Sequence, residues 1–232
     1  MMSISSYRCC RSLDLYDDET LARLATQATA GRYLTLTEEV TATARRVVLQ
    51  EDAYPGWITL TDLANLRPVE QPYQPVALGR PAVVERWPQV LAFLNQAQAQ
   101  PNVYLWGGTV GPNFDCSGLV QTAFAQAGIW LPRDAYQQEA FAMPLGPGTP
   151  DTLPLEPGDL LFFGAAGRAT HVGIYLGAGH FLHSSGPERG HNGIALDSLG
   201  SGCTDVATRY LQAWRGAGRI MASYDGRPLF RS

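Results

Sequence analysis

The segment YLWGGTVGPNFDCSGLVQTAFAQAG, residues 104–128, organises the C-terminal part of this chain. Apolar residues recur in it at the spacing of one buried helix face: Leu119, Val120, Ala123, Phe124 and Ala127. Gly128 follows at the position where a helix commonly ends. Glycine and proline dominate residues 107–112, which excludes a long helix upstream. We therefore predict a helix that begins at Asp115–Cys116.

Cys116 falls in the first turn of this predicted helix. Unpaired backbone N–H groups and the positive end of the helix dipole favour a thiolate there, which is the nucleophilic form of cysteine. The alternative is a small buried apolar residue, since most free cysteines occupy such positions. Because thiol reactivity depends on partner groups, the choice rests on the rest of the chain.

Candidate partners lie in a short segment that contains all four histidines of the chain. The sequence THVGIYLGAGHFLHSSG predicts two strands joined at residues 177–179. In that register His171 and His183 share one face as diagonal neighbours, about 7–8 Å apart at Cα. His180 points to the other face and is expected in solvent. A thiol and two imidazoles match the pattern of nucleophile, base and group that orients the base.

Three ordered segments resemble the NlpC-type (p-sixty) papain-like cell-wall cysteine peptidases: FDCSGLVQ, PGDLLFFG, and HVGIYLG with a histidine after it. The resemblance extends from about Trp87 to the C-terminus, and nothing in these motifs departs from the family pattern. It implies that Cys116 attacks the substrate, that His171 is the general base and acid, and that His183 orients His171. It implies no cofactor and no metal.

The resemblance also assigns roles to residues near Cys116. In relatives that trim murein tripeptides, the residues matching Asp115 and Ser117 bind the free N-terminal amine of the substrate. Both are also common helix-capping residues, and the two roles are compatible. The counterpart of Tyr104 helps to stabilise the oxyanion, together with the backbone N–H of Cys116. Alternatively, Tyr104 packs on Trp106.

Composition describes an ordinary globular protein. The chain has 232 residues, of which 45% are hydrophobic and 16% charged, and its formal net charge is −4. A negative net charge argues against a nucleic-acid surface, which needs a basic patch. All 17 basic residues are arginine, which excludes Schiff-base lysine chemistry and the phosphate-loop lysine.

The first residues lack the apolar core of a signal peptide, and no run reaches the ~20 residues of a membrane span. The four cysteines do not form a disulfide framework. We therefore expect a cytoplasmic protein without a membrane partner, and a monomer.

The N-terminal part reads as short strands, at Tyr7–Cys10, Tyr33–Leu36, Arg45–Gln50 and Trp57–Leu60. Thr20–Ala30 has the spacing of a helix or forms a long loop. The turn Tyr54-Pro55-Gly56-Trp57 resembles that of bacterial SH3-like domains, although an unrelated β-domain is the alternative. We predict an SH3-like β-barrel over residues 1–70 and a Pro-rich linker over 71–86. A papain-like domain then follows over 87–232.

In the catalytic part, the pattern predicts a helix at Ala82–Ala99 interrupted near Pro88, and a surface loop at Pro144–Pro157. Further predicted elements are strands at Leu160–Phe163 and Ile194–Leu196, a helix at Asp205–Arg215 and a last strand at Arg219–Tyr224. The predicted fold class is therefore α+β, with the Cys116 helix packed on an antiparallel sheet that carries the histidines.

The resemblance implies a cysteine endopeptidase that hydrolyses the γ-D-glutamyl bond to diaminopimelate in murein stem peptides with a free N-terminal L-Ala. In two-domain relatives the SH3-like domain contributes a Tyr and an acidic residue to the pocket. Tyr54 matches the Tyr, and Glu19 and Glu51 are both candidates for the acid. The SH3-like domain is then a substrate gate, which predicts that N-blocked peptides are rejected.

Three alternatives remain. An amidase or acyltransferase could use the same three residues, because a fold does not determine its chemistry. A wall hydrolase or a non-catalytic wall-binding protein could be anchored by the SH3-like domain. Cys116, His171 and His183 are also of zinc-ligand type, although no C-x-x-C pair or H-E-x-x-H helix accompanies them.

Overall fold

The structure is a computed structural model that describes residues 6–200 and 203–230. The outermost residues of the two predicted domains, 1–5 and 231–232, and residues 201–202 lie outside the described part. The N-terminal elements are the strands β1 Ser6–Cys9, β2 Leu13–Tyr16, β3 Leu24–Ala28, β4 Tyr33–Val40, β5 Ala44–Leu49 and β6 Pro55–Thr59, a 3-10 helix Leu60–Asn65, and β7 Leu66–Val69.

These strands form one antiparallel sheet in the order β3-β2-β6-β5-β4-β1-β7. Alternate side chains of β1 to β6 point into a single apolar core, as in a small SH3-like barrel: Cys9, Leu13, Leu15, Ala28, Leu34, Val47, Leu49 and Ile58. The four strands predicted from the sequence are confirmed within a few residues at each end.

The predicted helix or loop at Thr20–Ala30 is wrong, because Leu24–Ala28 is strand β3. It pairs with β2, placing Leu13 opposite Ala28 and Leu15 opposite Thr26. The spacing of small apolar residues was compatible with a helix, but the hydrogen bonds available from β2 decide the conformation. Tertiary pairing commonly overrides such a weak local preference.

The C-terminal elements begin with the helices α1 Arg80–Ala99, α2 Cys116–Gln126 and α3 Ala135–Phe141. The strands β8 Met143–Pro144, β9 Leu160–Phe163, β10 His171–Gly177, β11 His180–Ser185 and β12 Gly193–Ser198 follow, and then α4 Asp205–Leu211 and β13 Trp214–Arg219. The strands form an antiparallel sheet in the order β12-β11-β10-β9-β13-β8. The predicted α+β class is confirmed.

This sheet has a core on each face. Helices α1 and α2 cover one face, where Leu94, Leu119 and Phe124 pack against Val172 and Leu182. On the other face α4 packs through Val206 and Tyr210 against a second set of strand residues: Leu161, Phe163 and Phe181. Burying each such side chain stabilises the fold by about 1.5–3 kcal/mol.

Helix α1 differs from the predicted helix in its start and in its continuity. It starts at Arg80, within the residues predicted as linker, and Pro81 falls in the first turn, where it is well tolerated. Pro88 does not interrupt α1, because buried residues on both sides of it, Val83 and Val90, hold the helix together.

The predicted last strand at Arg219–Tyr224 is wrong, because β13 ends at Arg219. The segment WRGAGR, residues 214–219, forms β13 although it contains two glycines. In the structure a Cβ on Gly218 would lie 2.7 Å from the Cβ of Ala142, so only glycine permits the close pairing of β13 with β8. The predicted helix at Asp205–Arg215 ends at Leu211, because Trp214 already belongs to β13.

Candidate active site

Cys116 is the first residue of α2, as the sequence predicted. The carboxylate of Asp115 caps the helix by accepting a hydrogen bond from the backbone N–H of Gly118 at 2.6 Å. A side chain at Gly118 would collide with the carbonyl oxygen of Gly108, so glycine is required at this position. The helix ends before Gly128, whose φ of +71° is typical of a helix C-terminus.

The environment of the Cys116 thiol differs from the expectation of a stable thiolate. Burial, followed by the charge of Asp115, raises the pKa of this thiol to about 12. Backbone N–H groups of Val172 and Ser117 and the charge of Arg133 lower the pKa of Cys116 but do not compensate for burial. The resting cysteine is therefore a thiol, and it must give its proton to a base when it attacks.

The hairpin of β10 and β11 brings His171 and His183 together. Ile174 lies opposite Leu182, and Tyr175 lies opposite Phe181, as predicted. A bulge then places Gly177 rather than Leu176 opposite His180.

The two imidazoles are in hydrogen-bond contact, with 2.8 Å between Nε2 of His171 and Nδ1 of His183. The predicted diagonal pair is confirmed, and His180 is exposed as expected. The thiol is close to this hairpin, because the Val172 N–H that bonds Cys116 follows His171 directly.

The chain of hydrogen bonds continues to Asp197 on β12. Its Oδ2 lies 3.0 Å from Nε2 of His183 and 2.9 Å from Nε2 of His191, and its Oδ1 accepts a bond from the hydroxyl of Thr204 at 2.8 Å. His183 and Asp197 have fully buried side chains, whereas that of His191 is 24% exposed. We call His171, His183, Asp197 and His191 the relay cluster.

Asp197 determines where the protons lie in the relay cluster. An ionised carboxylate only accepts hydrogen bonds, so Nε2 of His183 must donate, and Nδ1 of a neutral His183 must accept. His171 then donates from Nε2 to His183 and keeps a lone pair on Nδ1. That lone pair is what a general base needs to take the proton of the Cys116 thiol.

The pKa values agree with this arrangement. Burial lowers the pKa of His171 well below its ordinary value, helped by the neighbouring His183 and Arg189. Burial also lowers the pKa of His183, although Asp197 opposes the shift. Burial raises the pKa of Asp197, but hydrogen bonds from His183, His191 and Thr204 outweigh it and hold this pKa well below its ordinary value. Neutral rings and an ionised Asp197 are therefore the resting state.

Sequence reasoning missed Asp197 and His191. The predicted strand Ile194–Leu196 stops one residue before Asp197, which lies two residues beyond Ala195, the partner of His183. Residues two apart on a strand share a face, so a strand extended by one residue would have placed a carboxylate beside His183.

Tyr104 lines two cavities, which lie beside Cys116 and His171. One cavity of about 380 Å³ includes Cys116, and a second of about 170 Å³ includes His171. Burial, followed by the charges of Cys116 and Asp115, raises the pKa of Tyr104 far above its ordinary value. The phenol therefore stays protonated and can donate a hydrogen bond. Trp106 stacks with the guanidinium of Arg23, which lies 4.6 Å from the ring centroid.

Asp115 and Ser117 form a buried set of polar contacts with Arg133 and Thr26, which we call the guanidinium cluster. Two nitrogens of Arg133 contact the two carboxylate oxygens of Asp115 at 2.6 and 3.1 Å. Arg133 also donates to the hydroxyls of Ser117 at 3.0 Å and Thr26 at 2.8 Å. The Asp115 carboxylate is thus already paired, which favours its capping role over direct contact with a substrate amine.

Another carboxylate faces the larger cavity instead. Asp134 caps α3, and its oxygens lie 3.3 and 3.5 Å from the hydroxyl of Tyr54, which belongs to the N-terminal domain. Burial raises the pKa of Asp134, although Arg133 opposes the shift. Tyr54 was predicted from the sequence but Asp134 was not, because the contact joins residues 80 positions apart.

Neither candidate acid of the N-terminal domain, Glu19 or Glu51, lines this cavity. Glu51 is buried in an ion pair with Arg32, and Glu19 is exposed. The acidic residue of the N-terminal domain that does line the cavity is Asp17, on the β2–β3 turn together with Arg23.

Among the described residues, a group with metal-ligand chemistry is present at His183, His191 and Asp197, whose donor atoms lie within 4.8 Å of one another. These atoms already satisfy each other by hydrogen bonds. This group does not contain Cys116 or His171, so it differs from the possible zinc ligands named from the sequence.

In the part of the chain that the structure describes, no helix is both long and apolar enough to cross a membrane.

Two family models match separate parts of the chain. Residues 101–215 match the NlpC/P60 family, and residues 15–63 match the bacterial dipeptidyl-peptidase SH3 domain. A solved NlpC/P60 family protein from Bacillus cereus superposes with a TM-score of 0.48 and 22% identity, covering 94% of this chain and 63% of that one.

Two curated relatives are enzymes. The γ-D-glutamyl-L-lysine dipeptidyl-peptidase of Bacillus cereus is 34% identical over 121 residues, which is 51% of this chain and 32% of the relative. The bifunctional muramidase/DL-endopeptidase CwlT of Bacillus subtilis is 42% identical over 109 residues, which is 45% of this chain and 30% of the relative. The matched part thus spans less than a third of either relative. The chain therefore contains an NlpC/P60 domain over residues 101–215, and a bacterial dipeptidyl-peptidase SH3 domain over residues 15–63 precedes it.

Proposed function

We propose that this protein is a cysteine endopeptidase that hydrolyses the γ-D-glutamyl bond to diaminopimelate in murein stem peptides with a free N-terminal L-Ala. The observation that carries the proposal is the shape of the cleft. Cys116 lies in a cavity that the N-terminal domain closes at one end through Asp17, Arg23 and Tyr54. A short peptide whose N-terminus ends inside the cavity fits this arrangement.

The relay cluster supplies the chemistry. Nδ1 of His171 takes the thiol proton while Sγ of Cys116 attacks the γ-carbonyl carbon of D-Glu. The hydroxyl of Tyr104 and the backbone N–H of Cys116 stabilise the oxyanion. His171 returns the proton to the leaving amine, and the C–N bond breaks to give a thioester. A water molecule that loses its proton to His171 then releases the dipeptide L-Ala-γ-D-Glu and restores the thiol.

Two acidic groups at the closed end suit a substrate ammonium. Asp134 and Asp17 line the cavity, and the hydroxyl of Tyr54 reaches Asp134 from the N-terminal domain. An ammonium placed between them forms charge-assisted hydrogen bonds, which are stronger than neutral ones. An acylated amine would lack that charge and would need room beyond the closed end.

Contacts between the domains support a substrate gate rather than a wall anchor. The Gln27 side chain accepts hydrogen bonds from the backbone of Thr109 and Val110, at 3.1 Å each. Asp52 accepts a bond from Gln121 on the catalytic helix at 2.8 Å, and Thr26 accepts one from Arg133. These buried and partly buried polar contacts hold the N-terminal domain against the cleft instead of leaving it free to bind a distant ligand.

We place this activity in the cytoplasm, in the recycling of murein peptides, with the protein acting as a monomer. Free cysteines at positions 9, 10, 116 and 203 are compatible with a reducing compartment. Cell fractionation and the solution mass of the purified protein test these two points.

The function is tested by incubating the protein with L-Ala-γ-D-Glu-diaminopimelate and identifying the products by mass spectrometry. We expect L-Ala-γ-D-Glu and free diaminopimelate from the wild type and neither from Cys116→Ala. An intact tripeptide after incubation with the wild type, or equal product from both proteins, would refute the proposal.

A further inference from the structure

The smaller cavity carries charged groups to which the proposed reaction gives no role. It has a volume of about 170 Å³ and lies beside His171. Glu188 and Arg189, on the loop between β11 and β12, line it together with the rings of Tyr104, Phe163 and Tyr210.

The position of His171 shows which part of the substrate enters this cavity, provided the proposed function holds. The general acid must give its proton to the leaving amine, so the residue that carries this amine lies on the His171 side. In the proposed substrate that residue is the diamino acid. The larger cavity, which Cys116 lines, then receives the first two residues.

Aromatic rings form the floor of the smaller cavity. The ring of Tyr210 stacks on His171 with centroids 4.1 Å apart and an interplanar angle of 21°. The hydroxyls of Tyr210 and Ser185 are 2.8 Å apart, and the ring of Phe163 lies 5.6 Å from that of Tyr210. This floor suits the methylene groups of an extended side chain, whose burial is favourable.

The rim of the cavity carries both signs of charge. The guanidinium of Arg189 lies 5.7 Å from the centroid of the Tyr210 ring. The carboxylate of Glu188 folds over Gly186, where any Cβ would collide with it. Within residues 6–200 and 203–230, no salt bridge involves either of these side chains. Both charges therefore remain available to a ligand.

We infer that Glu188 and Arg189 bind the far end of the diamino acid side chain, the ammonium at Glu188 and the carboxylate at Arg189. A side chain that ends in both groups, as in diaminopimelate, matches the whole rim. The lysine side chain ends in an ammonium alone and leaves Arg189 unpaired. The two residues thus select the third residue of the peptide.

The test compares kcat/KM for three tripeptides that differ only in the third residue: diaminopimelate, lysine and norleucine. Because both charged side chains are exposed, the loss of either contact should lower kcat/KM about fivefold. We expect Arg189→Gln to lower kcat/KM for the diaminopimelate peptide about fivefold relative to kcat/KM for the lysine and norleucine peptides. Glu188→Gln should slow the diaminopimelate and lysine peptides, and spare the norleucine peptide. Arg11→Gln, which removes an exposed charge far from the cleft, is the matched control.

Each outcome separates this inference from the function on which it rests. If Arg189→Gln slows all three peptides equally, Arg189 binds the α-carboxylate they share, and the inference is overturned while the function stands. Equal rates of the wild type on the diaminopimelate and lysine peptides overturn it as well. Failure of the wild type to cleave any of the three overturns both.

Discussion

Two buried polar clusters flank Cys116, and they differ in the charge of their side chains. The relay cluster consists of neutral imidazoles ordered by one carboxylate, and its last member, His191, reaches solvent. The guanidinium cluster is a permanent ion pair between Asp115 and Arg133, with the Arg133 side chain only 1% exposed. In the first cluster, a proton taken up by His171 leaves a cation that the Asp197 carboxylate stabilises through His183. The second cluster contains no imidazole that could act as a base.

We therefore expect the relay cluster to affect the rate of the reaction and the guanidinium cluster to affect the stability of the fold. The relay cluster lies on one sheet of the catalytic domain, so its loss should slow the reaction and leave the fold intact. The guanidinium cluster joins the tip of α2 to Thr26 of the N-terminal domain, so its loss should destabilise the protein. The same type of substitution is therefore expected to have different consequences on the two sides of Cys116.

The largest expected effect is at the two reacting groups. Cys116→Ala and His171→Ala should each lower kcat by about 10⁴-fold or more, because nucleophile and base act as one unit. Cys116→Ser should be nearly as inactive, since a hydroxyl needs a stronger base. Single-turnover assays measure the loss, and circular dichroism checks the fold. Substantial turnover by Cys116→Ala would remove the nucleophile from this site.

The next effect concerns the groups that orient His171. His183→Ala and Asp197→Asn should lower kcat by about 10²-fold with little change in KM, because they set the tautomer without touching the substrate. Both should retain more activity than His171→Ala. A His183 variant less active than the His171 variant would reverse the two roles. An Asp197 variant that raised KM alone would assign Asp197 to substrate binding.

The guanidinium cluster is tested by stability. Arg133→Met should lower the free energy of unfolding by about 3–5 kcal/mol, because it leaves the Asp115 carboxylate buried without its partner. Arg227→Met is the matched control, since the ion pair of Arg227 with Asp225 is exposed and should contribute less than about 1 kcal/mol. Urea denaturation measures both. Equal stability of the two variants would mean that this cluster does not hold the domains together.

The smallest effect is on the pH profile. His171 must be unprotonated to act as a base, and burial lowers its pKa. A lowered pKa means that protonation needs a more acidic solution, so activity should persist as the pH falls through the ordinary histidine value of about 6.5. The acid limb of kcat/KM should therefore lie below that value. An acid limb above it would show that His171 is not buried and neutral in the working enzyme.

The sequence predicted the reaction centre better than its surroundings, for a physical reason. The helix start at Cys116 and the pairing of Ile174 with Leu182 follow from local periodicity and turn residues. Arg133 and Asp134 carry no local signal, because their partners Thr26 and Tyr54 lie 107 and 80 residues away.

Strand β3 was missed in the same way, because its conformation depends on β2. The burial of the thiol was also missed, since a helix dipole can be read from sequence but desolvation cannot. The local sequence pattern thus predicts the secondary-structure elements and their order, whereas the contacts between the domains become visible only in the structure.

The central claim is that a cysteine peptidase works in a cleft closed by its N-terminal domain. The most direct measurement is the ratio of kcat/KM for L-Ala-γ-D-Glu-diaminopimelate to that for the same peptide acetylated at its N-terminus. Acetylation removes the ammonium and leaves the carboxylates at the closed end unpaired, which costs several kcal/mol when such charges are buried. We predict a ratio of at least about 10², which corresponds to 2.7 kcal/mol at about 1.36 kcal/mol per tenfold change. Equal rates on the two peptides would contradict the closed cleft and leave the N-terminal domain as a wall anchor.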